Sequence, residues 1–117
     1  MKEYQLQIKI IDYLRKKKLS KMRYFHIPNQ GIRSLKYKFL LASMGMKSGC
    51  PDLILEFKGG KIVYLELKLK KGKLSEKQKL WQKLSNILKT PHYILKADKF
   101  SDLQNELDNI ITKYYKV

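Results

Sequence analysis

The chain of 117 residues has a single cysteine, Cys50. No internal disulfide can form and no thiolate zinc cluster can be built, which suits a reducing cytoplasm. Its two histidines, His26 and His92, have no metal-ligand spacing to each other or to that cysteine. No apolar run approaches the roughly 20 residues that span a bilayer, so no membrane partner is expected. The opening MKEYQLQIKI mixes charge and glutamine with its apolar residues and does not read as a signal peptide. Repeats, linkers and low-complexity tails are also missing. Residues 1–117 therefore read as one domain, long enough for one modest core. Acids are scarce as well: 10, against 26 lysines and arginines, for a net charge of +16. Such an excess attracts a polyanion and points to nucleic acid.

What is present is a regular alternation of periodicities. Residues 2–18 read as a helix, with Leu6, Ile10, Tyr13 and Leu14 at helical spacing. Residues 22–27 read as a short strand ending at Pro28. Residues 33–44 read as a helix with Leu35, Phe39 and Leu40 inward and Gly45 stopping it. Strands follow at 52–57 and 62–69, then an amphipathic helix at 75–89 led by Leu80, Trp81, Leu84 and Leu88. A strand at 92–96 and a helix at 100–114 close the chain. The order α-β-α-β-β-α-β-α predicts an α/β fold, a mixed β-sheet flanked by helices.

The chemistry concentrates in CPDLILEFKGGKIVYLELK, residues 50–68. Side chains alternate along a strand. A two-residue Gly59-Gly60 turn would pair Lys58 with Lys61 and send Asp52 and Glu66 to opposite sides of the sheet. A three-residue loop, 58–60, pairs Phe57 with Lys61 and Asp52 with Glu66. Gly60 then takes the left-handed conformation that glycine adopts freely. The second register also collects Leu53, Leu55, Phe57, Val63, Leu65 and Leu67 on one face, and a one-residue slip would mix them with the acids. Packing and chemistry choose the same register.

In it, two carboxylates on neighbouring strands can share one ion, and Lys68 lies about 7 Å along the strand from Glu66. Oxygen ligands with retained water suit Mg²⁺ or Mn²⁺. A metal activates water and carries the charge that develops when a phosphodiester is hydrolysed. Glu3 sits on the same helix stripe as Leu6 and Ile10. Its alternatives are a partner cation and solvation at the helix end. Gln78 shares a helix face with Leu74 and Trp81, and also fits a capping box from Ser75. Lys70, Lys71 and Lys73 follow the Glu-Leu-Lys triplet, Arg33 and Lys36 open the second helix, and Lys47 precedes the 49–51 turn. These positions, with Asn29, are candidates for gripping phosphates, which positions DNA without reading its sequence.

Five blocks in order carry a resemblance: Glu3 with Gln7, HIPNQGIRS at 26–34, GMKSGCPDLIL at 45–55, LELK at 65–68 and GKLSEKQKLW at 72–81. The chain resembles a VRR-NUC domain of the PD-(D/E)XK nuclease superfamily. The resemblance implies a restriction-endonuclease-like fold. Asp52 and Glu66 match the metal-binding acids, the Leu67 carbonyl a third ligand, and Glu3 an acid that binds metal directly or through water. Lys68 matches the lysine that orients water and offsets transition-state charge, and Gln78 matches the glutamine of the following helix. A structure-selective endonuclease on branched DNA, akin to Holliday-junction resolvases and acting as a homodimer, is expected. Its expected setting is the cytoplasm of a bacterial or phage-infected cell. The rival reading is a basic DNA- or RNA-binding module without chemistry.

Overall fold

The computed structural model describes residues 2–27 and 34–116. Eight elements appear in the expected order: α1 (Glu3–Lys17), β1 (Met22–His26), α2 (Leu35–Ser43), β2 (Leu53–Phe57), β3 (Lys61–Lys68), α3 (Glu76–Ile87), β4 (His92–Lys96) and α4 (Phe100–Tyr114). The strands make one sheet in the order β1-β2-β3-β4. The first three are antiparallel neighbours, and β4 joins β3 in parallel after α3 crosses over. This is the mixed, helix-flanked sheet of a restriction-endonuclease-like α/β fold.

One face of the sheet carries the core. Leu53, Leu55, Phe57, Val63, Leu65 and Leu67 are at most 2% exposed. They pack with Leu6, Ile10 and Leu14 of α1 and with Leu103, Leu107, Ile110 and Ile111 of α4. Each such side chain contributes about 1.5–3 kcal/mol on burial. The Tyr13 hydroxyl also donates to Asp108 Oδ1 at 2.6 Å, tying α1 to α4 across the core. The other face, with Tyr64, Glu66 and Lys68, receives α3. Trp81 meets Tyr64 edge-on there, with ring centroids 5.8 Å apart.

The β2–β3 hairpin adopts the register that packing and chemistry jointly require. Phe57 pairs with Lys61 and Leu53 with Leu65. The loop holds three residues, closed by Gly60 N–H donating to the Phe57 carbonyl at 3.1 Å, with φ +81° at Gly60. The pairing ends at Leu53 with Leu65, and its register continued by one step would set Asp52 opposite Glu66.

One expectation about helix faces is corrected. No residue of α2 is buried, and Leu35, Phe39 and Leu40 are exposed rather than inward. On α3, Leu80, Leu84 and Leu88 are exposed together with Ile87. The residues α3 turns to the sheet are Gln78, Trp81 and Ser85, because this helix covers the face that carries Glu66. A polar partner meets a polar site, and the more apolar stripe is turned aside.

Candidate active site

The site forms where β2 and β3 part company. If the antiparallel ladder continued past Leu53, the Leu67 N–H would face Pro51. Instead it donates to Asp52 Oδ2 at 2.7 Å, so the Asp52 side chain takes the place of a ladder acceptor. Both main-chain groups of an antiparallel residue point to one edge, so the Leu67 carbonyl shares that edge. The backbone of Asp52 is fixed as well: His26 Nδ1 lies 2.9 Å from its carbonyl oxygen. A carbonyl only accepts, so Nδ1 carries the proton and Nε2 is left facing away.

Glu66 is 1% exposed and Asp52 is 7% exposed. Gln78 Nε2 donates to Glu66 Oε1, while Glu66 Oε2 is buried with no hydrogen-bond partner. Gln78 uses its other end too. Ser75 N–H donates to Gln78 Oε1 at 2.8 Å, and Gln78 N–H donates to Ser75 Oγ at 3.2 Å. The capping and site roles of Gln78 thus coexist: one side chain closes the first turn of α3 and holds the buried acid.

The electrostatics follow from this burial. Burial pushes the Glu66 carboxyl up to about 8, the Asp52 charge adds to the rise, and Lys68 opposes it. Burial also raises Asp52, against the Leu67 N–H, with Glu3 adding and Lys68 and His26 opposing. Glu3 and Lys68 are therefore close enough to act on both acids, and Glu3, Asp52 and Leu67 line one cavity of about 300 Å³. A second cavity, of about 250 Å³, lies beyond Asp52 and is lined by Cys50, Lys77 and Gln78.

A hard divalent cation fits this donor set. An unsatisfied buried carboxylate oxygen beside a second buried carboxylate needs positive charge, and a cation provides it. Among the described residues no group of three or more His, Cys, Asp or Glu forms a metal cluster. Glu3 lines the cavity without completing such a cluster, so the groups that could hold a cation are two acids and a main-chain oxygen.

Of the candidate phosphate contacts, Lys36 and Lys47 are exposed on α2 and after it, and Lys70, Lys71 and Lys73 on the β3–α3 connection. Asn29 and Arg33 lie outside the described residues. His26 acts as a clamp on the Asp52 backbone, a hydrogen-bonded structural role. One contributor escaped the sequence reading. Gly49, at φ +81°, lets its loop touch α3: a Cβ there would lie 2.6 Å from the Lys77 carbonyl carbon and oxygen. Its only sequence signal is a glycine three residues before Asp52.

The VRR-NUC domain matches the chain over residues 1–90. That span takes in every site residue, from Glu3 to Gln78. No curated protein and no solved structure matches the chain. Among the described residues no helix is long and apolar enough to cross a membrane.

Proposed function

The chain belongs to the VRR-NUC family, a nuclease-type domain, and from that premise we propose that it is a Mg²⁺- or Mn²⁺-dependent endonuclease that cuts branched DNA. The observation that carries this reading is the pair of buried acids, with Glu66 Oε2 unsatisfied beside Asp52. Asp52, Glu66 and the Leu67 carbonyl would hold the ion, with Glu3 at the rim. A divalent ion bound there supplies a Lewis acid for the phosphoryl oxygen and acidifies the attacking water. The chain's own groups do the rest. Gln78 keeps the Glu66 carboxylate in one orientation. His26 fixes the Asp52 backbone. Lys68 orients the incoming water and offsets the charge that builds on the phosphate in the transition state.

Affinity comes from the lysines on the β3–α3 connection and around α2. No helix-turn-helix or zinc finger is present among the described residues to read bases, so selectivity rests on DNA shape. Resolving a symmetric junction needs two sites, and the exposed stripe Leu80, Leu84, Ile87 and Leu88 supports an isologous dimer. A non-catalytic binding module would have no use for two buried acids and an adjacent lysine.

The deciding experiment compares four-way, flapped and linear DNA in Mg²⁺ and in EDTA. Branched DNA is cut faster, and only with the metal. Asp52→Ala and Glu66→Ala bind the junction and do not cut it, whereas Lys68→Ala is slower by at least about 100-fold, the scale for one transition-state charge donor. Full cleavage in EDTA, or wild-type rates from Glu66→Ala, would reject the assignment.

A further inference from the structure

Helix α1 carries two apolar stripes, and the core uses only one. Leu6, Ile10 and Leu14 are buried. Tyr4 and Ile8 are 59% and 53% exposed. These two line the same 300 Å³ cavity as Glu3, Asp52 and Leu67. One wall of the cavity is therefore the catalytic edge and the other is an aromatic and aliphatic surface along one helix. Tyr4 and Ile8 are four residues apart, about 6 Å along the axis, so they offer a continuous patch rather than two isolated side chains.

The charges of the cavity decide what kind of group fits that patch. Three carboxylates, Glu3, Asp12 and Asp52, face one guanidinium, Arg15, which lies 3.9 Å from Asp12. A second phosphate is repelled from such a lining. A flat, uncharged group with polar edges is not: its face covers Tyr4 and Ile8, and its edge meets the Gln7 amide. A cavity of this size takes a nucleobase, and base–aromatic stacking tolerates any base because each has a π-face.

We propose that Tyr4 and Ile8 form a stacking platform for one unpaired nucleobase of the DNA strand whose phosphodiester lies at Asp52 and Glu66. In an intact duplex both faces of each base are already stacked. A flap or a branch point leaves a base free, so the platform is filled only by the substrates the proposed function favours. The inference rests on that reading of the site and adds to it the feature of branched DNA that is recognised.

The test places 5-iododeoxyuridine at the unpaired nucleotide beside the scissile phosphate of a flapped DNA. The complex is held in Ca²⁺, which allows binding without cutting, and irradiated in the near ultraviolet. The expected cross-link maps to Tyr4. It persists in Tyr4→Phe and is lost in Tyr4→Ala, whose exposed position leaves folding intact by circular dichroism. In Mg²⁺, Tyr4→Ala and Ile8→Ser cut flapped DNA more slowly, Tyr4→Ala by about tenfold to a hundredfold, the range for loss of one base–aromatic stack. Tyr4→Phe cuts at close to the wild-type rate. A wild-type protein that cuts flaps but cross-links elsewhere overturns the platform alone, as does Tyr4→Ala cutting like wild type. A protein that neither binds nor cuts any branched DNA overturns the nuclease reading and the platform with it.

Discussion

Replacing Gly49 with alanine should damage the site more than any other single methyl group, and Gly45 provides the control. Both glycines have positive φ, +81° and +100°. Alanine at Gly45 meets no atom within 4 Å, so it carries only left-handed backbone strain, about 1–2 kcal/mol. Alanine at Gly49 carries the same strain and also meets α3. Its Cβ would lie 2.6 Å from the Lys77 carbonyl, about 0.8 Å short of an ordinary contact near 3.4 Å. The neighbouring atoms are backbone and cannot rotate away, so the first turn of α3 or the loop before Asp52 must shift. Overpacking of this kind adds about 1–3 kcal/mol. A shift of that size also draws the Gln78 amide away from Glu66, and a buried polar group left unsatisfied costs about 1–3 kcal/mol. At about 4 °C per kcal/mol for a domain of this length, Gly45→Ala lowers Tm by several degrees and Gly49→Ala by at least twice as much. Thermal unfolding followed by circular dichroism measures both, and a nicking assay at a temperature where both stay folded separates chemistry from stability. The expected outcome is that Gly49→Ala loses cleavage there while Gly45→Ala keeps it. Equal melting temperatures and equal rates would show that the contact between this loop and α3 does not position the acids.

Three further outcomes follow from the same geometry. Gln78→Glu keeps a side chain that can close the capping box but sets a second carboxylate against Glu66; the helix content by circular dichroism should hold while cleavage falls by about 10–100-fold, the scale for losing one charge-assisted hydrogen bond. Glu66 has a folded pKa raised from 4.5 to about 8, so the folded state holds its proton more tightly than the unfolded state; metal-free stability should fall as pH rises from about 4.5 to about 8, and Glu66→Gln should flatten that slope in urea titrations. Leu84→Lys, at a side chain 53% exposed, should leave the monomer folded and convert a dimer to monomer by light scattering; an unchanged mass would place the dimer contact elsewhere or remove it.

The hairpin was legible in the sequence because two independent constraints agreed. A strict period of two fixed which residues share a face, and Gly59-Gly60 limited the turn to a few lengths. The resulting register pairs Leu53 with Leu65 and Phe57 with Lys61, as the alternation requires. Faces of helices were less legible. Helical spacing groups Leu80, Leu84 and Leu88 on one side but does not say that a core waits there. The side of α3 that meets the sheet was set instead by the buried acid it must serve, through Gln78. On α2 the grouping of Leu35, Phe39 and Leu40 was equally regular, and none of the three is buried. The role of Gly49 and the partner of His26 were illegible for a different reason. Both depend on contacts between segments 26 or more residues apart, Gly49 with Lys77 and His26 with Asp52, which no local pattern encodes.

These long-range contacts converge on Asp52 and Glu66, and they do so from rigid pieces. Asp52 is held three ways: by strand β2 that follows it, by His26 on its carbonyl and by the Leu67 N–H on its carboxylate. Glu66 is held by β3 and by Gln78, whose own position is fixed by the start of α3. The loop that carries Asp52 touches that same helix start at Gly49. The two acids are therefore tied to one another twice, once through the β2–β3 pairing and once through α3. Two buried carboxylates repel each other, and burial raises both pKa values. Left on flexible loops, they would separate into solvent and keep ordinary carboxylate values. Closing the frame on both sides keeps them together without a counter-charge between them, at the expense of stability in the metal-free protein. A cation entering the site would relieve that stress. The same frame that sets two like charges together is what would make a divalent ion bind there in one arrangement.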